Sequence, residues 1–179
     1  MSKRIFLAGA SGVIGRRLSP QLRAAGHHVT GMTRSAQSAG MLEGLGADAV
    51  VGNVFDTEGL TAAIKAARPE IVIHQLTDLA LLGDPARYAE ASARKARIRE
   101  VGTRNLVRSS LVAGIGRMIA QSIAWVYAPG PTPRREDDPL DRDAPPPRST
   151  TVNVVIALEE AVLRTPGLRG TVLRYGQLY

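Results

Sequence analysis

Three glycines, Gly9, Gly12 and Gly15, fall between a short apolar run and a helical one, and this placement constrains the chain more than any other feature. Ile5-Phe6-Leu7-Ala8 ends at Gly9 and reads as a buried strand. From Val13 to Ala25, Ile14, Leu18 and Leu22 recur at helical spacing, and Gly26 sits where a C-terminal cap belongs. Each glycine answers a physical need at such a junction. Gly9 permits a tight turn, Gly12 lets backbone approach a pyrophosphate, and Gly15 lets the helix pack close to the strand. The first turn, with Val13 and Ile14, then offers unpaired N–H groups and partial positive charge to phosphates. Ser11 adds a hydroxyl. Strand, motif and helix in this order imply a dinucleotide site.

The rest of the chain repeats the alternation. Strands are expected at His28–Thr33, Ala49–Val51, Ile71–His74, Arg117–Gln121 and Thr171–Arg174. Helices are expected at Ser35–Leu45, Thr57–Ala67, Arg87–Ala113 and Thr151–Arg164, with Gly46, Pro69 and Pro166 as stop signals. Alternating strands and helices imply a parallel sheet covered on both faces, an α/β fold. Right-handed crossovers favour the doubly wound, Rossmann arrangement. With 179 residues the chain reads as one domain, 1–179, of about six strands. Residues 128–148 carry Pro129, Pro131, Pro133, Pro139, Pro145, Pro146 and Pro147 and read as a long surface loop.

The end of the second strand separates the two dinucleotides. An NAD site places an acid there for the ribose 2′-hydroxyl. This chain has Gly31-Met32-Thr33-Arg34 instead. The Arg34 guanidinium suits a 2′-phosphate, and Arg16 stands just after the glycine motif, so NADP is favoured over NAD.

Net charge is +7, and the densest basic cluster is Arg94, Lys95, Arg97, Arg99, Arg104 and Arg108, interrupted by Glu100. No aromatic residue interleaves with it, which argues against a stacking surface for nucleic acid and for a solvated helix face. The absence of cysteine leaves no disulfide framework or thiolate metal site and fits a cytoplasmic protein. The N-terminal apolar run is too short for a signal peptide, and no segment is long enough to span a membrane.

Several segments together resemble the extended short-chain dehydrogenase/reductases of the NAD-dependent epimerase/dehydratase kind. They are the glycine motif, Gly52-Asn53-Val54-Phe55-Asp56, Val72-Ile73-His74-Gln75-Leu76-Thr77, Gly102-Thr103-Arg104-Asn105-Leu106, Ser122-Ile123-Ala124-Trp125-Val126-Tyr127, Glu136-Asp137-Asp138-Pro139-Leu140 and Leu173-Arg174-Tyr175-Gly176-Gln177-Leu178-Tyr179. The resemblance implies that Asn53 and Val54 sit near the adenine, that Leu76 and Thr77 line the dinucleotide, and that Tyr175 begins the loop over the nicotinamide. It also implies oxidoreductase or sugar-nucleotide epimerase chemistry and a homodimer paired through the long helix. The like charges from Arg87 to Arg108 would oppose that pairing unless acids face them.

Catalysis in that family implies a hydroxyl residue, a tyrosine and a lysine, the last two as YxxxK. The lysine lowers the pKa of the tyrosine, which exchanges a proton at the substrate oxygen while hydride moves. Here the resemblance places Ile123, Val152 and Ile156 at those positions, and the chain contains no YxxxK. Ser122 and Tyr127 remain as candidate catalytic donors, although Tyr127 reads better as a packing residue and His74 as a hydrogen-bonded structural one. Asp137, Asp138, Asp141 and Asp143 match no calcium loop, and no metal site is expected. The family continues past the Arg-Tyr-Gly segment into a part that shapes the substrate pocket, which is expected to be absent here. Two readings stay open: an oxidoreductase or epimerase with altered catalytic residues, and a non-catalytic NADP-binding sensor or regulatory module.

Overall fold

The computed structural model describes residues 1–78 and 85–176. Gln177, Leu178 and Tyr179, the end of the last resembling segment, lie outside the described residues. Six strands form one sheet: β1 (Arg4–Ala8), β2 (His28–Thr33), β3 (Asp48–Val51), β4 (Ile71–His74), β5 (Arg117–Ile123) and β6 (Arg169–Tyr175). Their order is β3-β2-β1-β4-β5-β6, and every pairing is parallel. Six α-helices connect them: α1 (Val13–Ala24), α2 (Ala36–Gly44), α3 (Thr57–Ala67), α4 (Tyr88–Arg97), α5 (Thr103–Val112) and α6 (Arg148–Leu163). The doubly wound α/β arrangement expected from the alternation is the one observed.

The period-two geometry of strands divides β1 between two cores. Ile5 and Leu7 pack with Val29, Leu42, Ile71 and Ile73, supported by Leu18 and Leu22 of α1. Phe6 and Ala8 face the other way, toward Leu60, Ile64, Leu106, Leu158 and Val162 of α3, α5 and α6. Helices α1 and α2 therefore cover one face and α3, α5 and α6 the other. Right-handed crossovers require this when the strand order runs outward in both directions from β1. Between β1 and β4 the winding reverses, and such a switch point opens a crevice at the carboxyl ends of the strands.

Helix ends follow their local chemistry. Gly26 adopts φ +84°. Its N–H reaches the Arg23 carbonyl at 2.9 Å, and that of His27 reaches Leu22 at 3.0 Å. This doubly bonded cap tolerates a left-handed residue and closes α1. Ser35 and Asp56 cap α2 and α3 by accepting from the N–H groups of Ser38 and Gly59.

Most element ends fall within two residues of expectation, and three larger departures stand out. The helix expected at Arg87–Ala113 is interrupted by a π-turn over Ile98–Gly102, where Gly102 comes close to Val54. Helix α6 begins at Arg148, three residues before the expected Thr151, because Arg148 is anchored by Asp141 and by the carbonyls of Trp125 and Tyr127. The proline-rich segment also folds back on the chain: Tyr127 bridges Leu140, and Ala128 N–H donates to Pro139 at 2.9 Å. Among the described residues no helix is long and apolar enough to cross a membrane.

Candidate functional site

The crevice at the switch point is lined by Gly9, Ser11, Gly12, Arg34, Asn53, Val54, Leu76 and Thr77, which the sequence had singled out separately. The β1–α1 turn forms its floor. Gly9 has φ +88°, and a Cβ there would stand 2.5 Å from the Gln75 carbonyl oxygen, so the turn can press against β4 only as glycine. Gly15 is buried, and a methyl on it would overlap the carbonyls of Gly9 and Ala10. Gly12, by contrast, has room on the protein side, with only Gly9 O at 3.3 Å from a built Cβ. Helix α1 starts there with no side-chain cap and no acid in its first turn. Its first N–H groups have no intrahelical partners, so they are free for an anion. Val13 and Ile14 occupy that first turn, exposed and half-buried respectively.

The walls supply polar contacts. Thr33 donates to Ser11 at 2.9 Å, tying the end of β2 to the glycine turn. Asn53 uses its carbonyl oxygen on the Phe55 N–H at 3.0 Å, leaving its amide group for a ligand. Arg34 is largely exposed and reaches Asp78 at 3.7 Å. Tyr175 does not line the crevice itself; its hydroxyl accepts from Gln75 Nε2 at 3.0 Å. The opposite atom of that amide, Gln75 Oε1, is buried with no partner among the described residues. A buried acceptor without a donor is costly, and Gln75 lines the crevice. A dinucleotide hydroxyl or amide would satisfy it. Free helix N–H groups, a glycine floor and this acceptor fit a dinucleotide. Gln75, Phe55 and Met32, which stood in the quoted segments without a role of their own, also border the crevice, as does Ile98, an apolar residue with no sequence signal.

His74 is fully enclosed. Leu76 N–H donates to its Nδ1 at 3.2 Å, so Nε2 carries the proton and donates to Thr103 Oγ1 at 2.8 Å. Burial first, and the Arg99 charge second, push its pKa down to about 4. It is neutral and structural, as the sequence suggested.

Ser122 and Tyr127 sit elsewhere than the crevice. Ser122 is buried and donates to Glu159 Oε1 at 2.6 Å. Arg174 grips the same carboxylate at 2.9 and 2.7 Å and donates to Tyr127 Oη at 2.9 Å. Both candidate donors thus belong to one polar seam joining β5, α6 and β6. The positions that the resemblance gives to the proton relay form a different group. Ile123, Val152 and Ile156 meet with Val126 and Val155 in one apolar cluster.

The basic cluster is not a uniform solvated face. Arg94 pairs with Glu90 and Arg104 with Glu100, while Arg97 lies 4.2 Å above the Phe55 ring. Arg99 departs from the expectation altogether, because the π-turn rotates it inward and leaves it 8% exposed.

Comparison with known proteins adds three findings. Residues 9–179 match the protein family described as NAD(P)H-binding. A Streptomyces protein, 3-diazoavenalumate denitrifying reductase, is 46% identical over 178 residues, which is 98% of this chain and 56% of that protein. The chain therefore spans about half the length of this relative. Among solved structures, the Bordetella bronchiseptica enzyme WbmG in complex with NAD and UDP superposes with a TM-score of 0.76 at 22% identity, covering 97% of this chain and 53% of that one. A short-chain dehydrogenase/reductase superfamily protein from Agrobacterium tumefaciens with bound NAD gives 0.72 at 26% identity, covering 97% and 48%.

Proposed function

This chain belongs to the NAD(P)H-binding family, and from that premise we propose that it is the cofactor-binding part of an NADPH-dependent reductase whose acceptor needs no proton from a tyrosine. The preference for NADPH rests on Arg34 at the mouth of the crevice and on the absence of an acid at the end of β2. Bound there, the dinucleotide supplies a hydride.

The observation that carries this reading is that Ile123, Val152 and Ile156 form an apolar cluster in a chain whose dinucleotide crevice is intact. A ketone accepting hydride develops negative charge on oxygen and needs a nearby donor. None of these three side chains can donate. An acceptor that already bears positive charge has no such need. An aryl diazonium cation is of this kind: the carbon–nitrogen bond breaks, dinitrogen leaves with its electron pair, and the hydride becomes the hydrogen on that carbon. The name of the Streptomyces relative, 3-diazoavenalumate denitrifying reductase, points to a diazo substrate and a denitrifying reduction, so an aryl diazonium compound is the acceptor class proposed here. In this reading Ser122 and Tyr127 are positioning residues that hold the seam of β5, α6 and β6.

NADPH oxidation measured with an aryl diazonium salt and with a simple aryl ketone tests the proposal. Dinitrogen release matching NADPH consumption is expected with the first and no turnover with the second. Ketone reduction at a comparable rate would overturn it. Tight NADPH binding without turnover of either compound would instead favour the sensor reading.

A further inference from the structure

A second cavity, of about 430 Å³, opens between α4 and the start of α6. Its walls are mostly apolar, with Tyr88, Ala93 and Ala96 on one side and Val154 on the other. Two cations, Lys95 and Arg99, line it, and among the described residues no acid does. Arg99 is more than nine-tenths buried, and its Nη1 has no hydrogen-bond partner among the described residues. The nearby glutamates are engaged elsewhere, Glu90 with Arg87 and Arg94 and Glu100 with Arg104. Burying an unpaired guanidinium is destabilising, because the charge loses its hydration and gains no counter-charge. A chain that keeps such a group keeps it for a ligand or pays for it in stability.

Ile98 borders the dinucleotide crevice and Arg99, the next residue, borders this cavity. Thr151 in the cavity wall precedes Val152 of the apolar cluster. The π-turn that carries both Ile98 and Arg99 is a local distortion of a kind frequent at functional sites.

We propose that this cavity seats the carboxylate end of an unsaturated or aryl carboxylic acid substrate, with Arg99 as its direct partner and Lys95 as the second cation. The assignment rests on the reductase reading for its role in turnover, but the binding can be tested apart from turnover. Mostly apolar walls that include Tyr88, around a buried guanidinium, suit a flat hydrocarbon carboxylate, and inorganic phosphate is the competing anion that the test must separate.

Calorimetric titration of the NADP⁺-bound chain with cinnamate, with neutral cinnamamide and with inorganic phosphate separates the cases. Cinnamate carries no diazo group, so its binding is read free of any reaction. The expected result is cinnamate binding at least tenfold tighter than cinnamamide or phosphate. Arg99→Met should abolish it, leave NADPH affinity unchanged and give an equal or higher Tm, while Lys95→Met should weaken it several-fold. Ala93→Phe, which fills the cavity and keeps Arg99, should abolish it as well. Equal binding of acid and amide, phosphate binding in place of cinnamate, or a large fall in Tm on Arg99→Met would overturn the proposal. Failure of NADPH to bind in the same experiments would count against the reductase reading instead.

Discussion

Ser122 donates a 2.6 Å hydrogen bond to Glu159, a carboxylate that is otherwise held by Arg174. This relationship assigns Ser122 to the seam between β5 and α6. Strand register already places Ser122 opposite Arg174, and α6 brings Glu159 across both. Glu159→Gln leaves the partly buried Arg174 without a counter-charge and is expected to cost about 3 kcal/mol in urea denaturation. Ser122→Ala removes one bond to a charged group and should cost about 1.5 kcal/mol with NADPH affinity unchanged. Loss of turnover on Ser122→Ala with no loss of stability would place this hydroxyl in the chemistry instead.

The glycines of the β1–α1 turn should separate by function. Gly15→Ala drives a methyl into the carbonyls of Gly9 and Ala10, and backbone cannot easily retreat. A loss of several kcal/mol, or failure to fold, is expected by analogy with overpacked cores, where about 1–3 kcal/mol is typical and more is seen. Gly12→Ala meets only one atom, at 3.3 Å, and should fold with a Tm close to the parent. Its methyl occupies the space a pyrophosphate needs. NADPH affinity should therefore fall at least tenfold in calorimetry while the thermal transition barely moves. Unchanged affinity would mean that the dinucleotide does not pass over this turn.

Arg34 offers a test of phosphate preference. Its long contact to Asp78, at 3.7 Å, leaves the guanidinium largely exposed and able to meet a 2′-phosphate. A charge-assisted hydrogen bond is worth about 1.5–3 kcal/mol, so Arg34→Ala should weaken NADPH by about ten- to a hundredfold and NADH little. An equal effect on both dinucleotides would make Arg34 a general wall residue.

Much of this molecule can be read from local patterns. Ile5 to Ala8, the glycines and the spacing of Ile14, Leu18 and Leu22 contain the β1–α1 unit, because strand period, turn sterics and helix period act over a few residues. Of the crevice residues, Arg34 follows from its place at the end of β2, while Asn53, Leu76 and Thr77 were marked by the family resemblance. Arg99 was not legible. Helical spacing in its neighbourhood describes an exposed basic face, and only the π-turn, which shifts the register by one residue, sends it inward. The clamp of Arg174 on Glu159 was equally hidden. It joins β6 to α6 across fifteen residues of sequence through a contact that no period specifies.

His74 makes stability depend on pH. In the unfolded chain it titrates near the usual histidine value of about 6.5. In the fold, burial and the Arg99 charge lower its pKa to about 4. Between these values the unfolded chain binds a proton that the native one refuses. Stability therefore falls as pH drops from about 6.5 to 4 and levels off below, where both states are protonated. The full contribution is about 3 kcal/mol at one pKa unit per 1.4 kcal/mol. His74→Gln keeps a side-chain donor for Thr103 but cannot titrate in this range. Urea denaturation of the parent and of His74→Gln, measured from pH 7 to pH 4, should show a steeper decline for the parent. Parallel curves would mean that His74 is solvated or already partnered in its charged form, and its assignment as a neutral strut between β4 and α5 would fail.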